Sequence, residues 1–143
     1  MREPMPLTLE ITFQESLTGI TSDMLRGFFA GWPNPPTPET HLRLLQGSDL
    51  VILALAPDVV GVVGFITAIT DGVTAAYIPH LEVLPAYQGK GIGSELVRRM
   101  LARLKDIYMI DLVCDEGLRP FYEKLGMIPL RGMVVRNYAA LQG

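Results

Sequence analysis

The sequence predicts a mixed α/β domain of six strands and four helices, antiparallel in its N-terminal part and parallel through its centre. Three observations predict it. Two adjacent β-rich runs, Leu50 to Ala56 and Val59 to Ile69, are separated only by the turn pair Pro57-Asp58 and read as an antiparallel hairpin. Later in the chain a strand leads into a helix and on to another strand twice over, which predicts parallel neighbours. The 143 residues suit a single domain spanning 1–143, and 49% hydrophobic against 19% charged residues favours a packed core over disorder.

Each element follows from its local pattern. Leu7, Leu9, Ile11 and Phe13 alternate with polar residues, the two-residue period of a half-buried strand. Thr21 or Ser22 can cap a helix that presents Met24, Leu25, Phe28 and Phe29 on one face and stops near Gly31. The stretch Gly31 to Pro38 holds four prolines and reads as an extended loop. Thr37 as cap, Pro38 at the first position and Leu42, Leu44 and Leu45 beyond predict a second helix ending at Gly47.

After the hairpin, a strand from about Ala75 to Leu84 stops at Pro85. Ile92, Leu96, Val97, Met100, Leu101 and Leu104 then keep a helical period, with Glu95, Arg98, Arg99 and Arg103 off that stripe. Met109 to Cys114 is strand-like. Leu118, Phe121, Tyr122 and Leu125 mark a last helix closed by Gly126, and a final strand is expected over Met133 to Tyr138.

Composition removes several functions. A net charge of −3 without a Lys/Arg run argues against a nucleic-acid surface. One cysteine, Cys114, and two histidines, His41 and His80, give no metal-site spacing, so no metal is expected. The start of the chain lacks a signal-peptide pattern and no uncharged run of 18 residues exists, so no membrane partner is expected and the reading is cytoplasmic.

The chemistry lies where a strand meets a helix, at Gln88-Gly89-Lys90-Gly91-Ile92-Gly93. Glycines there allow close backbone approach, and the unpaired amides that open a helix converge on one point, a site for an anion such as pyrophosphate. It is not a P-loop, because Lys90 is followed by Gly91 rather than Ser or Thr. Nor does it match G-x-G-x-x-G, because Ser94 stands where the last glycine belongs. A tight turn that binds nothing is the bland alternative.

The segment Leu81-Glu82-Val83-Leu84-Pro85-Ala86-Tyr87-Gln88-Gly89-Lys90-Gly91-Ile92-Gly93 resembles motif A of the GCN5-related N-acetyltransferase (GNAT) family, and Phe121-Tyr122-Glu123-Lys124-Leu125-Gly126 resembles its motif B. The resemblance implies a mixed sheet of six to seven strands with about four helices, whose parallel central strands splay apart, and acetyl-CoA as cofactor. It implies that Gly89, Gly91, Ile92, Gly93 and Ser94 offer amides to the pyrophosphate, flanked by Gln88 and Lys90. It also implies that pantetheine lies along Leu81 to Val83 like an added strand, and that Phe121 and Lys124 border the cofactor. Asp115 and Glu116 depart from the asparagine and small residue common at that edge of the family's site.

Acetyl transfer to an amine needs a neutral amine, help for the oxyanion and a proton for the departing thiolate. The resemblance puts Tyr122 beside the sulfur as general acid and the Leu81 amide at the oxyanion. A residue packed in the apolar stripe of its helix is Tyr122's plainer role. Glu82 and His80, two residues apart on one strand face, are candidate bases beside ordered water. His41 and Trp32 could line the acceptor entrance, and Cys114 has no activating base near it in sequence.

The acceptor is expected to be a small-molecule primary amine, attacked directly on the donor. A protein N-terminus or lysine is the alternative, and a non-catalytic coenzyme A sensor is a third reading. By family analogy the C-terminal strand offers the edge for a possible homodimer.

Overall fold

The computed structural model describes residues 10–141. Leu7 and Leu9, expected on the first strand, lie outside them. The described strands are β1 (Thr12–Gln14), β2 (Leu50–Leu55), β3 (Val62–Thr70), β4 (Ala75–Tyr77), β5 (Leu81–Val83) and β6 (Met109–Asp111). The α-helices are α1 (Pro38–Gln46), α2 (Ile92–Arg103) and α3 (Arg119–Glu123). The six strands form one mixed sheet, ordered β1-β2-β3-β4-β6, with β5 paired to β3. The mixed α/β class with its antiparallel start is thus the observed one.

The hairpin is antiparallel as expected, with Ile52 opposite Ile66 and Leu53 opposite Phe65. These central strands read as continuous apolar runs because both faces are covered. Ile52, Ala54, Ile66 and Ala68 pack with Leu96, Val97 and Met100 of α2, whereas Val51, Leu53 and Phe65 pack with Leu25, Phe28, Phe29 and Leu45. Each buried Val, Leu, Ile, Phe or Met among them contributes roughly 1.5–3 kcal/mol. Gly64 lets α2 sit close: a Cβ there would lie 3.3 Å from Leu96 Cδ1 and 3.4 Å from Ile92 Cγ2.

The strand expected from Ala75 to Leu84 is broken. β5 pairs with β3 through Ile66 opposite Leu81, while β4 pairs with it through Ile69 opposite Tyr77. Between these pairs Ile78, Pro79 and His80 face only Thr67 and Ala68, so one extra residue bulges out where proline has no N–H for the ladder. The Thr67 amide still donates to His80 O at 3.1 Å. On the far side of the bulge β4 carries β6 in parallel, Ala76 opposite Ile110.

Two expected elements are corrected. The first helix is only a 3-10 turn over Ser22–Leu25. Gly27 and Phe29 have φ of 92° and 62°, which end any helix there. The amides of Phe29 and Ala30 donate instead to Glu82 at 2.8 and 3.3 Å, so a tertiary partner replaces the helical carbonyl. The final strand over Met133 to Tyr138 does not form, and only a 3-10 turn over Tyr138–Ala140 closes this segment. Its apolar pattern finds no strand to pair with, and β-propensity without a ladder specifies nothing.

The helix α1 matches its prediction. The Thr40 amide donates to Thr37 Oγ1 at 3.1 Å, Pro38 occupies the first turn, and Gly47 caps the other end with its amide on Arg43 O. No helix among the described residues is long and apolar enough to cross a membrane.

Candidate active site

The break between β4 and β5 opens a gap in the sheet. β6 leaves its neighbour after the Ile78 amide meets Asp111 O at 2.9 Å. Beyond that point β5 is paired with β3 on one side only. In an antiparallel ladder alternate residues turn their amides to the partner. With Glu82 opposite Phe65 and the Leu84 amide on Val63 O, residues 80, 82 and 84 face β3. Leu81 and Val83 therefore turn their backbone groups into the gap, where Val83 O already accepts from Gln88 Nε2 at 2.9 Å.

The helix α2 begins at the end of this gap. Its N-cap, Gly91, has φ 84°, and the first helical bond runs from the Glu95 amide to Gly91 O at 3.1 Å. The amides of Ile92, Gly93 and Ser94 thus have no acceptor within the helix. Gly89 has φ 78°, and a Cβ placed on either Gly89 or Gly91 would meet no atom within 4 Å. The space in front of the loop is open and faced by donors. Lys90 and Lys124 are exposed, and Gln88 is turned back to tie the loop to β5 rather than outward.

α3 closes the other wall. A Cβ on Gly93 would lie 3.6 Å from Phe121 Cζ and 3.8 Å from Val83 Cγ2, so loop, strand and α3 converge at that glycine. Phe121 and Tyr122 stack edge to face with ring centroids 4.9 Å apart. Burial pushes the Tyr122 phenol up to about 12, and the neighbouring Cys114 thiol acts in the same direction. The phenol is a proton donor throughout the neutral range. Cys114, half-buried on the segment after β6, is its neighbour, a proximity that the spacing of positions 114 and 122 does not reveal.

The other face of β5 is built differently. Glu82 and His80 share it, as their two-residue spacing predicts, but both Glu82 oxygens are engaged by the Phe29 and Ala30 amides. His80 lies against Phe29 and Phe65, with ring centroids 5.9 and 6.3 Å away, and burial lowers its pKa below the ordinary 6.5. Its imidazole is neutral at pH 7 and can accept a proton. Trp32 is partly exposed above Phe29 at 5.0 Å.

His41 does not line an entrance. It is 1% exposed, ringed by Phe65, Phe29 and Phe28 at 4.4, 5.0 and 5.3 Å, and neither ring nitrogen has a hydrogen-bond partner. Burial, reinforced by His80, lowers its pKa to about 4. A pull from the Leu25 carbonyl opposes this without reaching hydrogen-bond geometry. Thr67 Oγ1 is buried on the same strand face as Phe65 and is likewise unpartnered.

The sheet gap and the open helix start beside it lie within the stretch that a known family matches. The model of the acetyltransferase (GNAT) family matches residues 17–127. The chain belongs to that acetyltransferase family. It is 47% identical to a candidate acetyltransferase of known structure from Deinococcus radiodurans R1, with a TM-score of 0.88 over 97% of this chain and 95% of that one. It is 30% identical over 124 residues to the chloroplastic GCN5-related N-acetyltransferase 1 of Arabidopsis thaliana, covering 81% of this chain and 62% of that protein. With the chloroplastic GCN5-related N-acetyltransferase 3 of the same plant, identity is 40% over 74 residues, half of this chain and 31% of that one. The chain therefore spans less than two thirds of these plant relatives.

Proposed function

We propose that this chain transfers an acetyl group from acetyl-CoA to the primary amine of a small molecule by direct attack. The observation that carries it is the gap beside β5, whose outward Leu81 and Val83 backbone groups lead to the free amides of α2. These residues fit the donor. Gly89, Gly91, Ile92, Gly93 and Ser94 would hold its pyrophosphate, with the cations of Lys90 and Lys124 nearby, and Phe121 would pack against its arm. Leu81 and Val83 would bond its amides, Gln88 releasing or sharing Val83 O.

The bound donor supplies an activated acetyl thioester, and the chain supplies protons. Tyr122 holds one at its hydroxyl for the departing sulfur. His80, neutral and half-buried, takes one from the incoming ammonium, while Glu82 holds the loop of Phe29 and Ala30 that borders the acceptor side. The small-molecule reading is supported by the aromatic packing on that side, where Phe29 lies against Trp32 and His80. A protein N-terminus or lysine remains the alternative acceptor. The single cysteine favours a reducing compartment and hence the cytoplasm, although the two plant relatives bear chloroplast names.

Thiol release from acetyl-CoA with a panel of small amines and of peptides tests this reading. Turnover is expected with small amines first. Donor binding without thiol release for any acceptor would make the chain a coenzyme A sensor and sink the proposal.

A further inference from the structure

We infer that Asp111, with Tyr77 beside it, selects a diamine: an acceptor whose reacting amine is joined by a short apolar spacer to a second, positively charged nitrogen. This rests on the acetyl transfer proposed above and names the class of acceptor. An amine has one open side from which to arrive. Phe121 and Tyr122 pack with Leu96, Val97 and Met100 of α2, so helices fill that side of the sheet at the gap. The amine therefore crosses the other side, where His80 lies against Phe29 and Phe65.

Next to His80 that other side is bare. Tyr77 stands opposite both Ile69 and Asp111, and Ala75 stands opposite Met109, so these side chains share one face. Ala76, at the alternate position, is buried against α2, which puts the shared face on the side away from that helix. Ile69, Tyr77 and Met109 are 52%, 39% and 44% exposed, an apolar strip that no described element covers. Asp111 is exposed, and its carboxylate has no ion pair or hydrogen bond among the described residues. Thr67, between Phe65 and Ile69 on this face, has a buried hydroxyl that also lacks a partner. Asp111 stands at the apex of the gap, because its carbonyl takes the Ile78 amide in the last bond before β6 leaves its neighbour.

A lone anion on an apolar strip, with a proton acceptor at the strip's other end, complements a molecule that is cationic at both ends and apolar between. Strand spacings of about 4.8 Å across and about 3.3 Å per residue along put the Asp111 and His80 backbones roughly 11 Å apart or less. Once both side chains reach inward, a spacer of a few carbons spans the rest. Ile69 and the Tyr77 ring offer its methylenes an apolar surface, and the ring face attracts a cation. A monoamine of the same length would instead lay an apolar end against the Asp111 carboxylate and strip its water without replacing it.

Thiol release from acetyl-CoA with 1,4-diaminobutane and with pentylamine, which match in length, tests the inference in the parent chain and in Asp111→Asn. The parent should prefer the diamine. From parent to variant the ratio of kcat/KM for diamine over pentylamine should fall about tenfold, the loss of one charge-assisted contact, and the differing number and basicity of the amines cancel in that comparison. Most of the change should lie in KM for the diamine, Asp111→Glu should restore part of it, and added salt should shrink the parent's preference. The carboxylate is exposed, so Asp111→Asn should keep the parent's thermal midpoint. A parent that prefers pentylamine, or a ratio unchanged by Asp111→Asn, overturns the inference and leaves acetyl transfer standing. Release with neither amine overturns it as well, and the wider amine panel then decides whether acetyl transfer fails with it.

Discussion

The open edge of β5 and the face that carries Glu82 and His80 are built by different means. The side toward the gap is made of backbone: the outward groups of Leu81 and Val83, the glycines of the loop and the first amides of α2. The opposite face is made of side chains drawn from far apart, with Glu82 reaching the Phe29 amide across 53 positions of sequence. A donor common to a family can be held by main chain, which tolerates substitution around it. On the proposed reading, an acceptor would be selected by side chains and a loop, which can change without disturbing the main chain at the gap.

The largest expected effect separates chemistry from donor binding on the gap side. Tyr122→Phe removes only the hydroxyl and leaves the ring against Phe121. If the phenol donates to the leaving sulfur, kcat should fall about 10²–10⁴-fold while the dissociation constant for the donor changes by less than about threefold. With the phenol held near 12, no loss of activity from its ionisation is expected between pH 7 and 9. An unchanged kcat in steady-state assays would reduce Tyr122 to a packing residue of α3.

The opposite face should show itself in acid. Unfolded, the His41 imidazole takes its proton near 6.5; folded, only near 4. Between those values the unfolded chain binds more protons, so this group's contribution is complete above pH 6.5 and is lost as pH falls through 4. The loss amounts to about 3 kcal/mol. Urea unfolding of His41→Leu should show a flatter acid limb than the parent by that amount. At pH 7 it should be at least as stable, because it replaces unpaired buried nitrogens with methyls. Equal acid limbs in parent and variant would show that His41 finds a partner in solution.

How much of this was readable from sequence differs between the two faces for the same reason. The helix behind the loop Gln88 to Gly93 is a local pattern, and it starts where that pattern put it; Tyr122 lies on the last helix as its stripe predicts. The hairpin and α1 were equally legible, since Thr37, Pro38 and Gly47 specify their helix within ten positions. The bulge at Ile78-Pro79-His80 was not, although Pro79 marked the place, because an extra residue is visible only against a partner strand. The 3-10 turn at Ser22 took the pattern of a helix, and its fate was decided by Glu82, a tertiary partner that periodicity cannot report. The segment from Met133 to Tyr138 had strand sequence but no strand beside it. His41 read as a residue that could line the acceptor entrance, and only packing against Phe28, Phe29 and Phe65 shows it buried.

A smaller effect sharpens the division of labour on the acceptor face. Glu82→Gln keeps the shape and offers one carbonyl oxygen to two amides, so about 1.5–3 kcal/mol of charge-assisted bonding to the Phe29 and Ala30 amides is weakened. If Glu82 positions the loop, KM for the amine should rise several-fold, and the acid limb of kcat/KM, set by His80, should keep its midpoint. A shift of that midpoint in Glu82→Gln, with none in His80→Gln, would reverse the two roles.

The smallest effect asks whether the glycine loop binds a ligand or merely turns. Gly91 has φ 84° and open space where a Cβ would go, so Gly91→Ala meets no clash and costs only the left-handed conformation, about 1–2 kcal/mol. Gly64→Ala is the contrast, since its new carbon would press on Leu96 and Ile92 and charge its cost to the core. If the open space at Gly91 belongs to the donor, part of the cost should appear as a donor dissociation constant raised up to about tenfold, measured by calorimetry, beyond any change in thermal midpoint. Gly64→Ala should instead lower the midpoint and leave donor affinity nearly unaltered. Should both variants lose stability alone, the loop is a turn between β5 and α2, and the backbone reading of the donor face fails where it is most exposed to test.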